Sequence, residues 1–276
     1  MRRSVGRIRV RGLLYIMKML DEKQHLIVDR SGGIVSVTMN RPDKRNALSL
    51  ELMGELTETF RDIGRDGGNR AVILRGEGPA FSAGHDLREM LGRSADEYRS
   101  IFDACITMMD AIQQIPQPVI AEVATIATAA GCQLVATCDL AVASTEARFA
   151  TSGIKAGLFC ATPMVALTRA IGRKRAMEML LLGEMIDAQT ACDWGLVNYV
   201  VPRSELATKT HELAEKIAAL SRSVIALGKA AFYAADRAQS QDYAYAKDVI
   251  IGNALAADGQ EGMSAFVEKR RAQWTP

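Results

Sequence analysis

Aromatic residues make up only 5% of this 276-residue chain, and its three histidines (His25, His85 and His211) lie far apart. Histidines so separated give no reason to expect a metal cluster. The five cysteines show no CxxC spacing and sit mostly in apolar surroundings. They read as reduced, buried thiols, which excludes a disulfide framework and a zinc site. No apolar run reaches the roughly 18–20 residues needed to span a bilayer. Charge of one sign is lacking too. A formal net charge of +2 gives no reason to expect nucleic acid or a membrane surface as partner. What is present is ordinary for a globular protein, 49% apolar and 24% charged residues, in a chain long enough for one sizeable core with a helical appendage.

Charge is lopsided in one place. Residues 1–18 carry Arg2, Arg3, Arg7, Arg9, Arg11 and Lys18 with no acid. Acid-poor, Arg-rich leaders can be organelle-targeting peptides; a disordered tail, or a start extended ahead of Met17 or Met19, gives the same pattern. On each reading residues 1–20 stand apart from the fold. The plain reading leaves the protein in the cytoplasm, and a transit peptide would send it to the mitochondrion.

The regular pattern begins with His25-Leu26-Ile27-Val28, then Ser31-Gly32-Gly33, then Ile34-Val35-Ser36-Val37-Thr38-Met39. Gly-Gly between two short β runs predicts a hairpin. A polar loop follows, Asn40 to Leu48, broken by Pro42. Ser49 caps a predicted helix from Leu50 to about Ile63, with Leu52, Leu56, Phe60 and Ile63 at helical spacing. A long helix over about 95–115 stops at Pro116, and Pro118 to Val123 reads as a buried strand. From about residue 161 onward the chain is nearly all helix. Strands and helices alternate first and helices gather later, which argues α/β with a C-terminal helical extension.

One stretch organises the rest. The apolar strand Ala71-Val72-Ile73-Leu74 runs into Pro79-Ala80-Phe81-Ser82-Ala83-Gly84-His85-Asp86-Leu87-Arg88, and an amphipathic helix with Leu87, Met90 and Leu91 on one face is predicted to leave it. Small residues at Ser82, Ala83 and Gly84 let a ligand approach the main chain. Free backbone N–H groups at a helix start can hold an oxygen that is gaining charge. An ordinary strand–turn–helix connection would carry the same residues.

The order of motifs narrows the choice. The loop Arg41-Pro42-Asp43-Lys44-Arg45-Asn46-Ala47-Leu48 comes first and the Phe81-to-Leu87 stretch second. A small-residue helix start, Thr128-Ala129-Ala130-Gly131, follows about 45 residues later and leads to Cys138-Asp139 and a strand. From about residue 25 to the C-terminus, including Ala188 to Val201 and Glu261 to Arg270, the chain resembles the enoyl-CoA hydratase/isomerase (crotonase) superfamily. Residues 127–144 and 149–170 look closest to one branch of it. The resemblance implies a crotonase-like α/β spiral of ββα units over residues 21–200 and a C-terminal helical trimerisation region over 201–276. A homotrimer or dimer of trimers is expected. The implied ligand is an acyl-CoA thioester, with coenzyme A part of the substrate and no separate cofactor or metal. Two main-chain N–H groups, of His85 and Ala130, would hold the thioester oxygen as it becomes an enolate. Arg45, Ala47, Ser82, Ala83, Gly84, His85, Asp86, Leu87, Phe266 and Lys269 match positions that line the CoA ester in relatives.

At two positions the chain departs from the family. Hydratases of the family add water with two glutamates, one activating water while the other delivers a proton. Gln133 stands at the first position and Gly153 at the second, and neither can exchange a proton near neutral pH. The departure argues against efficient hydration. It leaves an enolate-forming enzyme with another proton source, a malonyl-type decarboxylase, and a non-catalytic acyl-CoA binder or regulatory subunit. His85 is the attractive substitute proton carrier, and some methylmalonyl-CoA decarboxylases are similar in carrying His after the corresponding Gly. Cys132, Cys160, Thr128, Thr151 and Ser152 flank the expected pocket, with structural roles as the plainer reading. Asp139 reads as a packing or capping residue and Glu122 as a paired structural acid.

Overall fold

The computed structural model describes residues 25–237 and 241–274, so the Arg-rich segment lies outside the described residues. The predicted hairpin forms: β1 (Leu26–Ser31) and β2 (Ile34–Met39) pair antiparallel with Ser31 opposite Ile34. Its turn takes φ of 58° at Gly32 and 82° at Gly33, a pair of left-handed angles that glycine adopts without a Cβ penalty. Helix α1 (Leu50–Arg65) starts where Ser49 Oγ accepts the Leu52 N–H at 3.2 Å and buries Leu52, Leu56, Phe60 and Ile63.

Three ββα units follow. The first is β3 (Ala71–Gly76), β4 (Ala80–Ser82), a one-turn helix α2 (Leu87–Met90) and the long α3 (Ala95–Gln114). Ser94 and Glu97 close a capping box at the head of α3, satisfying two of its free donors. The second unit is β5 (Val119–Val123), β6 (Ile126–Thr128) and α4 (Ala130–Thr137). The third is β7 (Leu140–Ser144), β8 (Arg148–Ala150) and α5 (Ala161–Ala170). Next come α6 (Arg173–Leu182), β9 (Ile186–Asp187), α7 (Ala188–Trp194) and β10 (Tyr199–Val201). Helices α8 (Leu206–Ala218), α9 (Arg222–Arg237), α10 (Gln241–Leu255) and α11 (Ala257–Glu268) complete the described chain.

Each unit gives one strand to a six-stranded sheet, β1-β2-β3-β5-β7-β10, and one to a four-stranded sheet, β4-β6-β8-β9. From β2 onward the larger sheet is parallel, and parallel sheets are covered on both faces. Successive side chains along β5 therefore alternate between two cores. Val119, Ala121 and Val123 join the main cluster with α1, α3 and α4, while Ile120 packs with Leu206 and Ala214 of α8.

One expected element is shorter than its pattern suggested. The amphipathic helix leaving the organising stretch is a single turn, because Leu91 turns extended and Gly92 takes φ 67°. At the far end, Lys229 of α9 is buried and donates to Ile112 O (2.9 Å), Gln117 O (2.9 Å) and Asp139 Oδ2 (2.7 Å). Asp139 also accepts the Val119 N–H and the Tyr233 hydroxyl. The residue read as a cap is thus the hub that ties α9 to the sheet. Met179 of α6 is buried, whereas Met177 and Met185 nearby are exposed. Trp194 is a packing residue at the turn, with Arg175 over its ring.

Candidate active site

The polar loop before α1 is folded by Asn46, which is fully buried. Its Nδ2 donates to Glu77 O (2.9 Å) and Ala80 O (2.8 Å), and its Oδ1 accepts the Arg41 N–H at 2.8 Å. Arg45 and Asn46 both sit in left-handed backbone, φ 52° and 51°, at a cost typical of functional loops. The bend lays residues 45–48 beside 83–86. Ala83 N donates to Arg45 O, Leu48 N to Gly84 O and Asp86 N to Leu48 O. Bonds along such a pairing alternate in direction, so the His85 N–H between them is turned away from this neighbour. It has no acceptor among the described residues.

The second free N–H comes from α4. Ala129 before it takes φ 50° and ψ −121° and supplies no side-chain cap, so the first N–H groups of the helix stay open. Ala130 N–H is likewise without an acceptor among the described residues. Two glycines bring the two loops together. A Cβ on Gly84 would sit 2.8 Å from Ala129 Cβ and 3.1 Å from Ala130 N, and one on Gly131 would sit 2.3 Å from Ser82 O. His85 and Ala130 therefore face one cavity of about 100 Å³. The Ala130 N–H belongs to the first turn of the eight-residue helix α4, whereas the helix that leaves the Ser82–Asp86 stretch, α2, is a single turn.

Of the positions singled out in the sequence, Ala83, His85, Leu87, Ala130, Ser152, Gly153, Cys160 and Phe266 line this cavity. Ser82 and Gly84 are buried beneath it. The Ser82 hydroxyl is used in bracing, donating to Asn46 O and accepting the Gly84 N–H. Arg45 and Lys269 are exposed and Ala47 is nearly buried. Asp86 is half-buried, with Arg41 Nη2 3.7 Å from its Oδ2. Thr128 donates to Ala83 O, and the Thr151 hydroxyl is buried without a partner. Gln133 is fully buried beside Tyr243 and does not line the cavity. Glu122 points to the opposite face of the sheet, 4.0 Å from Arg75, where burial raises its pKa.

The walls are short of acid–base groups. Among the described residues no carboxylate, Lys or Arg lines the cavity. His85 packs edge-on against Phe102, ring centroids 5.4 Å apart, and burial lowers its pKa to about 4. The ring is therefore neutral at physiological pH. Burial pushes the thiols of Cys132 and Cys160 up to about 12, which makes them poor nucleophiles. The space a side chain would need at Gly153 is occupied, since a Cβ there would meet Cys160 Sγ and Leu158 O at 2.7 Å.

Three features escape sequence reading: the Asn46 bracket, the Phe102 contact and the filling of the Gly153 space by Cys160. The Asn46 signal was present as an Asn inside a polar loop; the other two are contacts between elements. One surface group of metal-ligand type, His25, Glu51 and Glu55, gathers its donor atoms within 4.8 Å of one another. It is a part-buried His–Glu contact, with His25 Nδ1 2.9 Å from Glu55 Oε1, and none of the three lines the cavity.

Residues 29–276 match the family model described as enoyl-CoA hydratase/isomerase. The rat protein named enoyl-CoA hydratase domain-containing protein 3, mitochondrial, is 45% identical over 245 residues, 88% of this chain and 82% of that one. A crystal structure of an enoyl-CoA hydratase from Mycobacterium smegmatis is 47% identical, covers 91% of this chain and 99% of its own, and superposes with a TM-score of 0.76. A methylmalonyl-CoA decarboxylase in complex with 2-nitronate-propionyl-CoA is 26% identical over 91% of this chain and 98% of its own, with a TM-score of 0.81.

Proposed function

Because this chain belongs to the enoyl-CoA hydratase/isomerase family, we propose that it acts on a short acyl-CoA thioester by holding the developing enolate oxygen between the N–H groups of His85 and Ala130. The observation that carries this reading is that two main-chain donors without an acceptor belong to residues lining one cavity, and that among the described residues no carboxylate lines it. Each such donor is typically worth roughly 3–4 kcal/mol of transition-state stabilisation. Coenzyme A enters as part of the substrate. Phe266 at the cavity edge, Leu87 and Ala83 in its wall, and the exposed Arg45 and Lys269 are suited to the pantetheine and phosphate portions. Lys269 would act as a point charge.

Of the reactions open to an enolate, loss of CO₂ from a malonyl-type ester asks least of this site. The bond between the carboxyl and α-carbons breaks, its electron pair passes into the thioester enolate, CO₂ leaves, and water returns a proton to the α-carbon. No side-chain base takes part. The decarboxylase among the solved relatives supports this choice. A non-catalytic acyl-CoA binder is the second reading, favoured by the neutral His85 and the inert thiols.

The deciding measurement follows crotonyl-CoA at the enoyl absorbance and methylmalonyl-CoA by CO₂ release. The expected result is decarboxylation, with hydration about 10²–10⁴-fold below that of relatives with the glutamate pair, since a positioned acid or base contributes that much. Fast hydration would overturn the reading, and binding of both esters without turnover would favour the binder. Gly153→Glu alone is expected to leave hydration unrestored, because its Cβ meets Cys160 Sγ and Leu158 O. An increase in crotonyl-CoA turnover in that variant would show that the wall yields more easily than the distances imply.

Two further proposals belong with this one. Apolar side chains stand exposed on α6 (Leu181, Leu182) and α9 (Val224, Leu227, Phe232), and exposed apolar side chains grouped on a helix suit an interaction surface. They support the homotrimer or dimer of trimers. The mitochondrial name of the rat relative supports the targeting reading of residues 1–18 over the cytoplasmic one.

A further inference from the structure

The proposed chemistry uses only the main chain of His85, leaving its imidazole to be accounted for. Nε2 of that ring is buried with no hydrogen-bond partner. Leaving a buried polar atom unpaired is destabilising. Ser152, Cys160 and Thr162 also line the cavity, yet among the described lining side chains only the imidazole has a fully buried nitrogen or oxygen without a partner. The edge-on contact with Phe102 at 80° holds the ring in place, and much of the cavity wall is hydrocarbon, from residues such as Leu87, Met90, Leu158 and Ile250. An apolar ligand would leave Nε2 as it is. An oxygen would satisfy it.

We infer that the His85 imidazole determines specificity, reading an oxygen on the third carbon of a short acyl chain. The inference rests on the acyl-CoA reading above. Reach sets the position: the ring is carried by the same residue whose N–H holds the thioester oxygen, so it meets only the first carbons of the chain. Volume sets the length. A dry cavity of about 150 Å³ takes one benzene, so the 100 Å³ present here suits an acyl group of a few carbons. Chemistry sets the partner. A neutral imidazole offers one N–H and one lone pair in either tautomer, and among the described residues no Lys or Arg lines the cavity to favour an anion by charge. A hydroxyl, a ketone and a carboxyl group share the acceptor oxygen that the ring N–H can meet. A site built to hydrogen-bond a substrate group rejects the analogue that lacks it.

Binding of butyryl-CoA, 3-hydroxybutyryl-CoA, acetoacetyl-CoA and malonyl-CoA, measured by calorimetry or by KM where the ester turns over, tests this. The expected result is that at least one oxygenated ester binds about tenfold or more tightly than butyryl-CoA. That ratio should fall to about 1 in His85→Leu and be partly recovered in His85→Asn, which keeps a neutral polar group. The three oxygenated arms identify which oxygen function is read. A wild-type protein that binds butyryl-CoA and the oxygenated esters equally overturns this inference alone, as does a preference that survives His85→Leu. Failure of every CoA ester to bind overturns the acyl-CoA reading and this inference with it.

Discussion

Alanine at Gly131 is expected to lower kcat/KM by at least about 10²-fold, the loss typical of removing one oxyanion donor. Where the protein only binds its ester, affinity should fall instead. The reason is distance. The added methyl would lie 2.3 Å from Ser82 O and 2.8 Å from Ser82 C, and these are backbone atoms of a short strand, not the free end of a side chain. Relief therefore requires β4 and α4 to separate. Ser82 cannot move alone, because its hydroxyl joins Asn46 O to the Gly84 N–H. The displacement runs into the residue before His85 and spreads the two donors. Thermal melting should show a simultaneous loss of stability, since overpacking typically costs about 1–3 kcal/mol. Wild-type kcat/KM in a folded Gly131→Ala protein would show that the close approach is dispensable to the site.

The largest effect on stability alone is expected from Asp139→Ala. Lys229 would keep two carbonyl acceptors but lose its counter-charge while remaining buried. Breaking a buried pair by removing one partner typically costs about 3–5 kcal/mol. At roughly 2–4 °C per kcal/mol for a domain of this size, the melting temperature should drop by about 6–20 °C. The Val119 N–H and the Tyr233 hydroxyl lose their acceptor in the same substitution. A double variant, Asp139→Leu with Lys229→Met, should regain much of the loss, because exchanging a whole buried pair for apolar groups is often neutral. Urea unfolding distinguishes the cases, and a single-variant loss below about 1 kcal/mol would place the anchoring of α9 elsewhere.

Much of the scaffold could be read from local chemistry. Gly32-Gly33 between β runs, Ser49 ahead of an apolar 3.6-residue rhythm, and Pro116 after the long helix each specify a boundary through one residue's conformational limits. The choice of His85 and Ala130 as a donor pair came with the family resemblance; local chemistry offered only small residues ahead of a helix start. What was hidden depends on elements meeting across the chain. Strands of two or three residues, such as β4 and β9, are too short to show a period. The turn after Met90 depends on Leu91 and Gly92 leaving helical angles, which the apolar spacing of Leu87, Met90 and Leu91 masks. Asp139 and Lys229 lie 90 residues apart, and nothing near either announces the other. The occupation of the Gly153 space was equally out of reach. It follows from Leu158 N folding back onto Gly153 O, which brings Cys160 Sγ to the spot.

The order of the two sheets bears on how copies of this chain can meet. The large sheet ends in β1 and β10, the small one in β4 and β9. Strand β1 carries Asp29 and Arg30 on a mostly exposed run, β10 has three residues and is followed by Pro202, and β4 and β9 have three and two. Short, charged or proline-bounded borders give an incoming backbone little to pair with. Fibre-like growth by strand addition is thus discouraged along every border of the described sheets, while the apolar sides of α6 and α9 stay open. Contacts between copies would then fall to the exposed apolar side chains of these helices, with the ladders of hydrogen bonds left closed.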